Sequence, residues 1–545
     1  MPGPWPGPIQ LTSRFAALKE SIVAGTEAAL TSSFHRLLRA LPEEIDRVSA
    51  LGPEAIPVMA FADAANPQHA EPFLNRLRER GVGVLRGVVP RETALAWARE
   101  AHGYASQVFP GAQPPPQDIF WSAAQVQARA HPNVLAAQKF VMSGAWRSAD
   151  PRARVTTEFP ITYADRMGTR EATGLEASPC AHVDGGSVER WEPDGYGRAG
   201  TYKKIWQGRW EEYDPWESST RLGVTSDLYH KASACSIFRM FQGWLALQPI
   251  PPGPGSVKVC PLPRHATAYF LLRPFFSPSS SSARPCSSSS SDNDDGSGAA
   301  SPDEWTLNRP QDSILHGALP SYAQDISPSL HPHLDLARSM VSVPRLEPGD
   351  YLVWHPDLIH SVSSSSSSDN SSSSSKTHDA RDGAYTHMYL PACPLTQTNA
   401  LYLARQRKSF LAGTPGPDFG GGGSHRRSVI AAPSRRGSSA AGPALASSFL
   451  PFPSASFSCS SSSSSSSSTS LFSQLPALGG LGGGGESSHP LRAGPTEVGD
   501  AGGGDDGLRA MGLVPWDEED AYEDETREVL AMANGILFPD LYDMF

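Results

Sequence analysis

The chain is poor in the features that would place it in several large classes. It has 6 cysteines in 545 residues, and no two stand at CxxC spacing. That excludes a zinc ribbon and a dense disulfide framework. Such cysteine usage suits a reducing compartment, and the expected location is cytoplasmic. No apolar run of about 18 residues occurs, so no transmembrane helix is expected. The opening Met1-Pro2-Gly3-Pro4-Trp5-Pro6 lacks a basic stretch followed by an apolar one, which argues against a secretory signal. A basic excess is missing too: 45 Lys+Arg against 56 Asp+Glu leave a formal net charge of −11. The chain therefore lacks the basic stripe that displaces counterions from nucleic acid and the polybasic anchor that anionic lipid attracts. The expected partner is a small-molecule substrate, with no nucleic acid and no membrane. Oligomeric state leaves no mark on the sequence.

Glycine (49) and proline (50) are plentiful, and long serine runs come on top. Three segments, 277–303, 363–380 and 413–506, are so biased that they cannot bury enough apolar surface to offset the entropy of ordering them. The first two read as disordered insertions between strands, which surface loops tolerate at small cost. The third reads as a disordered linker.

Outside these segments the pattern has three parts. Residues 1–10 read as frayed. Residues 11–150 carry helical and strand elements packing on a core. Phe15, Leu18 and Ile22, then Phe34, Leu37 and Leu38, give a helical stripe over 11–50. Helices follow at 70–80 and 91–105, with a strand at 82–85 between them. Residues 151–412 turn to short aromatic and β-branched segments bounded by Gly and Pro: 155–163, 181–184, 235–248, 256–260, 266–273, 340–344, 350–355 and 384–390. This spacing predicts an all-β sandwich or barrel core, followed by a helix over 396–411. Residues 507–545 predict a C-terminal helix, with Asp517-Glu518-Glu519-Asp520 at an acidic start, docking back on the core.

The most informative string is Ala181-His182-Val183-Asp184-Gly185-Gly186-Ser187. On a strand, residues i and i+2 share a face, so His182 and Asp184 project together. An imidazole and a carboxylate are two thirds of a facial triad for non-haem Fe(II). The tripeptide alone is a weak signal, because a surface strand with a His–Asp hydrogen bond would read the same. A second string adds to it. Pro348-Gly349-Asp350 is a turn, Tyr351-Leu352-Val353-Trp354 a strand, and two histidines follow, His355 and His360. His360 is the preferred third ligand. His355, between a Trp and a Pro, reads as a packed core histidine. His331 and His333 could chelate a metal but sit in a loop or helix start.

Two histidines and one carboxylate leave one face of an octahedron open. A 2-oxo acid can fill two of those positions and O₂ the third, and the protein then owes the oxo acid a cation for its distal carboxylate. The strand 384–390 carries neither Arg nor Lys. Arg239 and Arg381 are the preferred candidates, with Arg166, Arg170 and Arg273 as further options. Trp191, Tyr196, Trp206, Trp210 and Trp216 could form a lid, but core packing is the plainer reading.

These strings resemble the DUF1479 family, whose members are similar to the Fe(II)/2-oxoglutarate oxygenases and to phytanoyl-CoA dioxygenase-like proteins. The resemblance rests on Tyr163-Ala164-Asp165-Arg166, on His182 through Trp191, and on Phe238-Arg239-Met240-Phe241-Gln242-Gly243-Trp244. It continues through Leu272-Arg273-Pro274-Phe275-Phe276 and Gly349 through His360, then Tyr389-Leu390-Pro391-Ala392 and Ala510-Met511-Gly512-Leu513. It implies an α+β protein: a double-stranded β-helix (jelly-roll, cupin-like) core with flanking α-helices and disordered Ser/Gly-rich insertions. It implies His182, Asp184 and His360 as iron ligands, with 2-oxoglutarate as co-substrate. Two departures stand out. A Ser-rich insert follows His360 directly, and Met167-Gly168-Thr169-Arg170 is less basic than the family's pattern. The expected activity is an oxygenase that hydroxylates a small molecule. The alternatives are a non-catalytic cupin-like binding protein with a vestigial site and, more weakly, a zinc hydrolase, which lacks an evident general base.

Overall fold

The structure is a computed structural model and describes residues 7–110, 119–170, 180–230, 235–253, 256–279, 301–362, 385–419 and 489–542. The expected insertions 277–303 and 363–380 and the expected linker 413–506 fall largely outside these residues, as does most of the expected frayed start.

Two long amphipathic helices open the chain, Arg14–Val23 and Glu27–Leu51. The second buries Leu30, Phe34, Leu37, Leu38, Leu41, Ile45 and Val48, one face of a 3.6-residue repeat. The helix Pro67–Arg80 starts where Asn66 accepts the Gln68 N–H, and it ends at Gly81 in the left-handed conformation that favours glycine. The strand Val82–Arg86 follows, then the helices Arg91–Val108, Ala123–Ala130 and Pro132–Ala145.

Two sheets organise the rest. The larger has six strands in the order Val58–Ala60, Val82–Arg86, Tyr351–Trp354, Gln242–Ala246, Tyr385–Tyr389, Met167–Arg170. Only its first pair is parallel. The smaller has five antiparallel strands in the order Gln324–Ile326, Ala181–Val183, His360–Val362, Val257–Val259, Val341–Ser342. Alternation along the strands sorts side chains between two cores. Tyr351, Val353 and Leu245 pack with Trp97, Ala101 and Val141 of the helices. Leu352, Trp354 and Trp244 point the other way and join Val257 and Val259 of the smaller sheet. The layers therefore run helices, six-stranded sheet, five-stranded sheet. The fold is mixed α+β, and among the described residues the strands form several open sheets with no closed barrel.

Two strand expectations are corrected. Residues 266–272 belong to the helix Pro263–Leu272, and Arg273 opens the 3₁₀ turn that follows. Buried on all sides, the helix shows no amphipathic period, and the usable cue was Pro263 at its first turn. Of 235–248 only Gln242–Ala246 is strand; Cys235 to Arg239 run irregularly along a pocket wall. The boundaries of the linker also move. Residues 413–419 and 489–506, expected as linker, join the described fold: Trp121 Nε1 donates to Thr414 O at 2.7 Å and Ala493 N to Trp121 O at 2.9 Å. The helix Asp524–Leu537 buries Val529, Leu530, Ala533 and Leu537 in one cluster with Tyr402, Leu403 and Phe410 of the helix Gln397–Ala412.

Cys180, Cys235, Cys260 and Cys393 are free thiols. Among the described residues no helix is long and apolar enough to cross a membrane.

Candidate metal centre

The strand Ala181–Val183 and the strand His360–Val362 lie side by side, and their antiparallel register sets His182 directly opposite His360. Directly paired residues point to the same face. The two ring centroids are 4.4 Å apart. The ring of His360 also lies 5.4 Å from that of Trp354, which places the pair on the side facing the six-stranded sheet. Asp184 follows two residues after His182. Its Oδ1 is 3.9 Å from His182 Nε2 and its Oδ2 3.4 Å from His360 Nε2. Among the described residues these three form the only group whose ligand atoms all lie within 4.8 Å of one another.

The histidine tautomers follow from their partners. His182 Nδ1 is 3.2 Å from Cys180 O, and His360 Nδ1 is 3.0 Å from Leu358 O. A carbonyl only accepts, so each Nδ1 carries the proton and each Nε2 presents a lone pair. The set is thus two neutral imidazole nitrogens and one carboxylate oxygen converging on a point. That chemistry suits a divalent first-row metal of the non-haem iron type.

Arg239 sits on the irregular stretch before the strand Gln242–Ala246. It lines a pocket with Gly185, Tyr196, Phe238, Pro356 and Thr398. Its neighbours are pinned: Ser236 N and Oγ donate to Asp418, at 2.9 and 2.5 Å, and Asn399 both accepts from Phe238 N and donates to Phe238 O. Among the described residues the guanidinium makes no hydrogen bond or ion pair. Arg381 lies outside the described residues, so only Arg239 of the two preferred cations is placed. Of the others, Arg273 donates to Phe276 O and lies over the Trp305 ring, a packing role, and Arg166 lies over the Phe419 ring.

His355 is fully buried, as a core histidine should be. It stacks on Trp146 at 5.2 Å, with Nε2 3.0 Å from Pro215 O and Nδ1 accepting from Asp357 N. His331 caps and His333 lies within a short 3₁₀ turn, Pro332–Leu334, and neither belongs to a metal-capable group among the described residues. Trp191, Tyr196, Trp210 and Trp216 are buried and Trp206 half-buried, packed against the core, and Tyr196 also lines the pocket. Sequence reasoning gave no supporting role to the groups behind the three side chains: Arg190, Tyr196, Arg221 and Asp357. The cues were that Arg190 stands in the same unbroken string as His182 and Asp184, and Asp357 in the same string as His360.

The Gig2-like family model matches residues 9–434. Over 393 residues the chain is 28% identical to the uncharacterized protein YbiU of Escherichia coli (strain K12), spanning 69% of this chain and 82% of that protein. The crystal structure of GlcNAc Inducible Gene 2, GIG2 (DUF1479), from Candida albicans is similar in fold. It covers 98% of this chain and 96% of its own, with a TM-score of 0.71 and 23% identity. A Salmonella typhimurium LT2 protein provisionally described as an oxidoreductase covers 76% of this chain and 94% of its own, with a TM-score of 0.59 and 26% identity.

Proposed function

Because the chain belongs to the Gig2-like family and sets one aspartate against two histidines, we propose that it is an Fe(II)- and 2-oxoglutarate-dependent oxygenase acting on a small molecule. The observation that carries this reading is the pairing of His182 with His360 at one register point, both Nε2 lone pairs turned toward Asp184. The oxidoreductase description of the Salmonella relative supports it. On the same reading the two sheets are the halves of a double-stranded β-helix.

His182, Asp184 and His360 would hold the ferrous ion on one face. When bound, the ion and 2-oxoglutarate together supply oxidation of the substrate by O₂, the oxo acid leaving as succinate and CO₂. The chain's own residues do the rest. The Nδ1–H bonds to Cys180 O and Leu358 O fix both rings, so neither imidazole can turn its protonated edge to the metal. Arg239 offers a fixed fork of donors to the distal carboxylate of the oxo acid. Trp244 and Trp354 wall the space between the sheets and keep water from it.

The test is spectroscopic. Under anaerobic conditions Fe(II) plus 2-oxoglutarate should give a weak visible charge-transfer band, which His182→Ala should abolish, and in air the wild type should form succinate. Metal binding with neither band nor succinate would point instead to a non-catalytic binding protein.

A further inference from the structure

Three consecutive carbonyl oxygens of the turn that carries Asp184 are each gripped by a buried side chain. Arg190 Nη2 donates to Asp184 O and Nη1 to Gly186 O, both at 2.6 Å. The Tyr196 hydroxyl donates to the carbonyl between them, Gly185 O. The same Arg190 Nη2 lies 3.9 Å from Asp357 Oδ1. Asp357 is locked in turn. Arg221 Nη2 donates to its Oδ2 at 2.6 Å, and the Tyr202 hydroxyl is 3.2 Å from both oxygens. Asp357 stands three residues before His360, in the turn that launches the His360 strand.

We propose that Arg190 is a positioning residue that sets the separation of Asp184 from His360, by holding the backbone turn of one ligand against the carboxylate that anchors the strand of the other. The proposal rests on reading the three ligands as a metal centre. The turn needs such a device. The strand ends at Val183, and Gly185 and Gly186 follow at φ +74° and +103°, where no ladder of backbone hydrogen bonds can hold them. Left to themselves, their carbonyls would turn to water, and the Asp184 carboxylate would move with them. A planar guanidinium spans two carbonyls at fixed spacing, which a single ammonium cannot do. Arg190 is 0% exposed and Asp357 1%, so each charge depends on the other groups of the network to be tolerated there. Substrate cannot reach Arg190; it acts through Asp184.

The experiment uses the full chain and Co(II) alone as probe, reading affinity and the d–d absorption bands, with wild type, His182→Ala, Arg190→Lys and Tyr196→Phe. Arg190→Lys should weaken Co(II) binding by about 10- to 100-fold, the usual effect of losing a group that orients a metal ligand, and should alter the band shape. Tyr196→Phe keeps the ring and loses one of the three grips. It should weaken binding by a smaller factor, more than any shift in its metal-free unfolding midpoint accounts for, and it decides the matter if Arg190→Lys does not fold. If wild type and His182→Ala bind Co(II) equally, the metal-centre reading fails and takes this proposal with it. If His182→Ala alone loses binding while both other variants keep wild-type affinity and spectrum, the metal centre stands and the positioning role is overturned.

Discussion

At the scale of single residues, the three side chains of the candidate centre were legible and the groups behind them were not. His182 and Asp184 could be read because strand periodicity alone puts i and i+2 on one face, and His360 because a Gly-Asp turn and an apolar strand precede it. Arg190 and Asp357 work through backbone carbonyls and through partners 136 to 167 residues away in the sequence, a kind of contact that leaves no period. Arg239 sits between these cases: it was one of several arginines until the fold placed it in the pocket beside Gly185 and Tyr196. Its variant separates the two halves of the site. If the proposed oxygenase function holds, Arg239→Ala should raise the 2-oxoglutarate concentration for half-saturation by about 10- to 100-fold, the worth of a lost charge-assisted hydrogen bond, while metal affinity stays close to wild type. Titrating each ligand into the metal-bound and metal-free variant measures both.

Among elements, sequence reasoning was reliable where an amphipathic period or a cap was present. The helices Glu27–Leu51, Pro67–Arg80 and Gln397–Ala412 fall where the pattern put them. It failed at Pro263–Leu272, where Ala266 to Leu272 are all buried and one face is as apolar as another. A short apolar run then reads as strand or helix alike. The helix Asp524–Leu537 is the reverse case, since its stripe was legible but its docking site was not. Leu530 is fully buried there, against a cluster that includes Leu403 and Phe410. Leu530→Ala should cost about 2–5 kcal/mol by removing packed methyls and leaving a cavity. Urea unfolding would measure this, and a cost near zero would mean that the helix is not anchored by this face.

For the molecule as a whole, buried histidines set a limit on the acid side. Burial pushes His355 and His333 down to about 4, His331 to about 3 and His316 to about 2, with Arg273 adding to the last three of these. An unfolded histidine titrates near 6.5. Between the folded and unfolded values the unfolded chain binds more protons, so stability is full above about pH 6.5 and is lost as the pH falls toward 4. Each such histidine steepens the fall by up to about 1.4 kcal/mol per pH unit. The unfolding midpoint of the metal-free protein should therefore drop between pH 7 and pH 5, and a flat profile over that range would contradict the burial of these rings. The single register point that joins His182 to His360 has a different kind of consequence, one for descent. Sliding the His360 strand by one residue would leave the sheet paired but would set Ile359 or Ser361 against His182 and turn the imidazole to the opposite face. A lineage can therefore lengthen the chain beyond Val362 without disturbing this phase, whereas adding or removing one residue between Asp357 and His360 breaks it unless a bulge absorbs the change.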